Sequence, residues 1–128
     1  MNPEGMRIGA LLMRVFLPAK NYEQSQAFYR ALGFSVFPLG DKLCNVRLGE
    51  KPGGPAFLLQ DYYAKEWADN CMMHMLVNNV DEWWAHFQTL DFEKLGGSAK
   101  PPKVEPWGLR ISYVVDPSGV LWHFAQDA

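Results

Sequence analysis

Basic charge is in short supply in this 128-residue chain, where twelve Lys and Arg against fourteen Asp and Glu leave a net charge of −2. No Lys/Arg block occurs either, which argues against a nucleic-acid partner held by phosphate neutralisation. Cysteine is nearly absent: Cys44 and Cys71 form no CxxC pair and no disulfide framework. They read as two reduced thiols of a cytoplasmic protein. The apolar run "IGALLM" near the start is far shorter than the roughly 20 residues a membrane span needs. The N-terminus also has no cationic region or small-residue cleavage site, so neither a leader nor a membrane anchor is expected. "GEKPGG" lacks the following helix and the Lys-Ser/Thr end of a phosphate-cradling loop. Ser118 lies in a turn without the strand–turn–helix context of a hydrolase nucleophile.

Apolar and aromatic content is ample, at 48% and 14%. That suits one compact domain with a sizeable core. The clearest internal feature is a repeat. "AKNYEQSQAFYRALGF" (Ala19 to Phe34) aligns with "VNNVDEWWAHFQTLDF" (Val77 to Phe92) at a constant offset of 58. Asn21 and Asn79 each stand three residues before Gln24 or Glu82, as in a capping box. Ser25, Phe28, Tyr29 and Leu32 recur at helical spacing in the first copy, as do Val80, Trp83, Trp84, Phe87 and Leu90 in the second. Gly33 fits a left-handed helix end. Short apolar runs flank both helices, and "KPGG" and "DPSG" are strong turn signals between neighbouring strands. One strand of the second copy has no clear pattern and is expected weakly near Phe92 to Leu95. "GGSAKPPKVEPW" reads as a loop. The fold class is therefore α+β: one domain over 1–128, built of two βαβββ modules at about 8–62 and 70–127, with their sheets joined around a cup.

The segments "AFYRALGF", "LVNNVDEWW" and "DPSGVLWHF", in paired modules over nearly the whole chain, resemble the vicinal-oxygen-chelate superfamily. That superfamily holds glyoxalase I, extradiol dioxygenases, and fosfomycin- and bleomycin-resistance proteins. The bleomycin-resistance branch is most similar, through Pro106, Trp107, Gly108, Asp116, Pro117, Gly119, His123 and Phe124. The resemblance implies a homodimer with pockets at or near the subunit interface. The fold serves enzymes and plain binding proteins alike, so it does not decide function.

Metal-using relatives take ligands from the first and last strands of each module. Counting back seven residues from Asn21 and from Asn79 gives Arg14 and Met72 at the first-strand positions. A guanidinium has no lone pair to give, and a thioether suits a hard divalent ion poorly. His123 occupies the last-strand position of the second module, and Gln60 lies near that of the first. On this count the usual metal site is absent. His74 shares a strand face with Met72 and could approach His123, which keeps open a divalent-metal lyase or dioxygenase with a rearranged His74/His123 site.

The inward set is then Arg14, Phe16, Gln60, His74 and His123, a mixed apolar pocket with a few polar groups. Arg14 either offers a fixed positive charge to an anionic ligand or pairs with an internal carboxylate. Trp67 and Trp107 fall in loops, where packing explains an aromatic less readily. Trp107 also stands where the resemblance implies a groove tryptophan that stacks on flat rings. Trp122 alternates with His123 and reads as buried packing. The sequence reading is a metal-independent protein that sequesters a flat aromatic or amphipathic small molecule, with no cofactor.

Overall fold

The computed structural model describes residues 8–49 and 53–128. The Lys51-Pro52 half of the "KPGG" turn, and the first seven residues read above for a leader, lie outside these. The element order is β1 (Phe16–Pro18), α1 (Tyr22–Leu32), β2 (Ser35–Pro38), β3 (Leu43–Arg47), β4 (Ala56–Gln60), α2 (Lys65–Asp69), β5 (Met72–Leu76), α3 (Val80–Phe87), α4 (Phe92–Leu95), β6 (Ser98–Ala99), β7 (Lys103–Val104), β8 (Leu109–Val115) and β9 (Leu121–Asp127). The strands form two mixed sheets, one ordered β1-β4-β3-β2 and the other β5-β9-β8-β6, with β7 also paired to β8. In each, the first strand runs parallel to the last, beside antiparallel neighbours. This is the expected α+β architecture.

Both helix starts follow from their asparagines. The Asn21 side chain accepts the Gln24 N–H, while the Asn79 side chain accepts from both Asp81 and Glu82. Each bond satisfies an amide that the first helical turn leaves without an internal partner. Helix α1 buries Ser25, Phe28, Tyr29 and Leu32 and stops at Gly33, whose φ of 116° is the left-handed value the sequence suggested. Helix α3 is shorter, at eight residues, and buries Val80 and Phe87 fully while Trp83 and Trp84 are half-buried.

Three expectations are corrected. Phe92–Leu95 is the short helix α4, capped by Asp91, and not a strand. The missing strand lies in the stretch read as a loop, where Ser98 pairs with Val115 and Lys103 with Ile111 along β8. Pro101 and Pro102, which bring no backbone N–H, split that edge into β6 and β7, so no periodic run remained to be read. Trp67 sits in helix α2 and not in a loop.

The two sheets share one core. Trp122 of β9 is 3% exposed and sits among Tyr29, Phe34 and Phe57 of the first half, with ring centroids 5.7, 5.7 and 5.4 Å away. A polar lock crosses the same seam. The Tyr29 hydroxyl donates to Asp116 Oδ2 at 2.7 Å and accepts the Trp122 indole N–H at 2.9 Å. Asp116 Oδ1 accepts the backbone N–H of Ser118 and Val120, both at 2.9 Å. The Ser118 hydroxyl accepts the Lys20 N–H and lies 3.5 Å from the Ser25 hydroxyl. Asp116 is thus turn chemistry, as expected, and also the buried hub joining α1 to the last hairpin. Burial drives its carboxyl above the usual range, against the pull of the hydrogen bonds from Tyr29 and the turn amides.

Candidate functional site

Strand alternation gives each sheet an inner face toward this core and an outer face away from it. In the second sheet Trp122, Phe124 and Val114 point inward and are buried. His123 and Tyr113 therefore point outward, as do Met72, His74 and Leu76 of β5. The register aligns His74 with His123 and His123 with Tyr113. Three ring-bearing side chains thus form a row across β5, β9 and β8. The His74 and His123 Nδ1 atoms are 3.4 Å apart, and the His123 and Tyr113 ring centroids 5.0 Å apart.

This register moves one assignment made from spacing. Met72 pairs with Leu121, and His74 is the first-strand partner of His123. The corresponding pair of the first sheet is Phe16 with Leu58, since Phe16 precedes His74 by the repeat offset of 58. Leu58 in turn pairs with Asn45, completing a second row, Phe16–Leu58–Asn45, across β1, β4 and β3. Gln60 pairs with Pro18, one position past Leu17 and two past this row. The sequence count missed because seven residues before the Asn is two too many, an even error that preserves the face and shifts the level.

Arg14 precedes Phe16 by two residues and places Nη1 3.1 Å from Asn45 Oδ1. Among the described residues Asn45, and no carboxylate, is thus its hydrogen-bond partner. Trp67 stacks loosely on Tyr62, at a centroid distance of 6.3 Å, and is half-buried. Trp107 is 62% exposed at the turn after Glu105, which closes through Gly108 N–H to the Glu105 carbonyl at 3.0 Å. The structure brings His74 and His123 together, sets Phe16 and Arg14 on the outer face of the other sheet, and leaves Trp67 and Trp107 on separate connections.

Sequence reasoning missed three neighbours of the histidine pair: Tyr113, Glu105 and Lys103. Tyr113 was legible, because the alternation in "LRISYVV" puts it on the face opposite Ser112 and Val114. Glu105 and Lys103 were not, because they lie in the Pro-rich stretch read as a loop. Lys103 Nζ is 3.2 Å from Glu105 Oε1, and the Glu105 side chain is only 10% exposed. The field of Glu105 reaches both Tyr113, where it adds to burial in raising the phenol, and His123. For His123, burial and the neighbouring His74 lower the imidazole below its usual range, and Glu105 opposes them. An Nδ1–H on either ring can donate to the Nδ1 of the other, the tautomer deciding which.

A metal of the kind the resemblance implies requires three or more protein donors. Phe16 and Leu58 offer only carbon, and no group of three His, Cys, Asp or Glu able to hold a metal occurs among the described residues. Two imidazoles are half of a four-donor set, so the residues present do not fit the group. Cys44 and Cys71 do not repair the deficit: burial pushes both thiols up, away from the thiolate form that binds metals or attacks electrophiles. Among the described residues no helix is long and apolar enough to cross a membrane.

No curated protein sequence matches the chain. Among solved structures, a bleomycin-binding protein complexed with bleomycin superposes with a TM-score of 0.72 at 16% identity, covering 91% of this chain and 98% of that one. A bleomycin-binding protein from Streptomyces verticillus, complexed with copper(II)-bleomycin, gives 0.70 at 23% identity, covering 94% and 100%. Lactoylglutathione lyase from Agrobacterium tumefaciens gives 0.60 at 20% identity, covering 90% and 92%. At these identities the likeness is one of fold, and it spans binding proteins and an enzyme. The family model for the Glyoxalase/Bleomycin resistance protein/Dioxygenase superfamily matches residues 11–124, and the chain belongs to that superfamily.

Proposed function

We propose that this protein is a metal-independent small-molecule binding protein of the bleomycin-resistance type. Its ligand is a flat aromatic or amphipathic compound, held in a pocket that a homodimer completes in the cytoplasm. The observation that carries the reading is the His74–His123–Tyr113 row. It is a hydrogen-bonding patch on an otherwise apolar outer face, with Met72 and Leu76 on the same strand 64% and 59% exposed. Exposed apolar area beside a few convergent polar groups is how small-molecule sites are built. The two-donor metal set and the inert thiols favour binding over metal-dependent catalysis. Trp107, with its ring unburied, is suited to stack on a ligand.

Titration of intrinsic tryptophan fluorescence against a panel of aromatic compounds tests the proposal. Saturable quenching is expected, weakened at least about tenfold in His123→Ala and with its amplitude reduced in Trp107→Ala. Metal analysis of the purified protein supplies the contrary result. Stoichiometric zinc, manganese, nickel or iron, lost in His123→Ala, would replace the binding reading with a lyase or dioxygenase.

A further inference from the structure

The last turn of α1 and one face of α3 form a recess on the far side of the second sheet from the histidine row. Trp83 of α3 fixes its place. The indole packs on Phe124 of β9, with ring centroids 5.0 Å apart, and on Phe87 at 6.0 Å. Phe124 points inward where His123 points outward, so the sheet itself separates this recess from the row. Those contacts leave the ring only half-buried. The remainder lines a hollow of about 390 Å³ together with Leu32, Gly33, Glu82 and His86. Small-molecule sites begin at roughly 300 Å³.

The walls carry charge of one sign. Glu82 supplies a full negative charge beside Trp83, its Oε1 taking a long 3.4 Å hydrogen bond from the Asn79 side chain. The facing wall is the carbonyl end of α1, where a helix holds partial negative charge. His86 is engaged at that end, its Nε2–H donating to the Ala31 carbonyl at 2.8 Å. The same bond ties α3 of one half to α1 of the other and sets the width of the hollow. Among the described residues no Lys or Arg lines it. Arg30, the cation in the last turn of α1, is exposed outside it.

We propose that this recess binds an organic cation, an amine or quaternary ammonium compound, at a site separate from the histidine row. The cation rests on the Trp83 indole, between the Glu82 carboxylate and the carbonyl end of α1. The negative face of the ring, the carboxylate and the helix end all attract positive charge, and the three converge on one hollow. Leu32 gives the alkyl groups of such a cation an apolar contact. An uncharged molecule of the same shape keeps that contact and loses the three attractions. The hollow shares no residue with the site proposed above, so it stands or falls apart from that reading.

The test uses choline as the cation, 3,3-dimethylbutanol as its uncharged isostere, and protein carrying 5-fluorotryptophan. Five tryptophans give five fluorine resonances, and the one missing from Trp83→Phe belongs to Trp83. That resonance should move saturably with choline, and the alcohol should bind at least about fivefold more weakly. Glu82→Gln, at an exposed position, should weaken choline binding by about threefold to fivefold and leave the circular dichroism spectrum unchanged. A Trp83 resonance that stays still, equal affinity for the alcohol, or unchanged binding in Glu82→Gln each overturns the proposal. Loss of the choline response in His123→Ala places the cation on the histidine row and overturns it as well. Failure of the aromatic panel with the choline response intact removes the earlier binding reading and leaves this site standing.

Discussion

At the scale of single residues, the most consequential group is the Tyr29 hydroxyl. It bonds both the Asp116 carboxylate and the Trp122 indole across the seam between the two halves. Tyr29→Phe keeps the ring packing and strands a carboxylate oxygen and an indole N–H in a dry environment. The expected loss is about 3 kcal/mol in urea unfolding, well above the usual worth of one hydrogen bond. Asp116 itself should impose a pH dependence of known sign. Burial raises its pKa, so the folded chain holds that proton more tightly than the unfolded chain does. The resulting stabilisation is full below the ordinary value of 3.8 and is lost as pH rises through the folded value. The stability of wild type relative to Asp116→Asn should therefore increase as pH falls from about 7 to about 4.5. Parallel urea midpoints for the two proteins across that range would remove Asp116 as the titrating group.

At the scale of elements, the two helix caps are unequal. Asn79 accepts two amide hydrogens at the start of α3, and Asn21 accepts one at the start of α1. Asn79→Ala should cost about 1 kcal/mol, with Asn21→Ala costing less, read from thermal unfolding. Capping was legible because it is local: an Asn followed three residues on by Gln or Glu states its own geometry. The inward stripe of α1 was legible for the same reason, and Ser25, Phe28, Tyr29 and Leu32 are all buried. Strand register was not. It depends on partners far along the chain, and a shift of two keeps every side chain on its expected face, so the error that named Met72 in place of His74 left no trace in the pattern. The edge formed by β6 and β7 was hidden differently, by prolines that a free edge tolerates and a central strand would not. At the site, the meeting of His74 and His123 could be anticipated from alternation, whereas Glu105 and Lys103 came only with that edge.

At the scale of the whole molecule, the single core that Trp122 enters from β9 makes the two halves mutually dependent. Each sheet packs on its own helix, Phe57 on Tyr29 and Phe124 on Trp83 and Phe87, and both halves also bury Trp122 between them. Fragments 1–62 and 63–128 should each lack a cooperative unfolding transition and regain one on mixing, as followed by circular dichroism. A sharp transition in either fragment alone would show that it holds a sufficient core of its own. The repeated backbone also places Phe16–Leu58–Asn45 and His74–His123–Tyr113 in the same slot of each half, one row led by carbon and the other rich in nitrogen. A molecule flanked by both rows meets unlike walls. Reversing it end for end exchanges hydrogen bonds for bare contact, a difference of about 1–3 kcal/mol. One orientation is then favoured roughly tenfold to a hundredfold. Under the proposed function, a duplicated scaffold thereby acquires a sense of direction, telling the greasy end of a guest from the polar one.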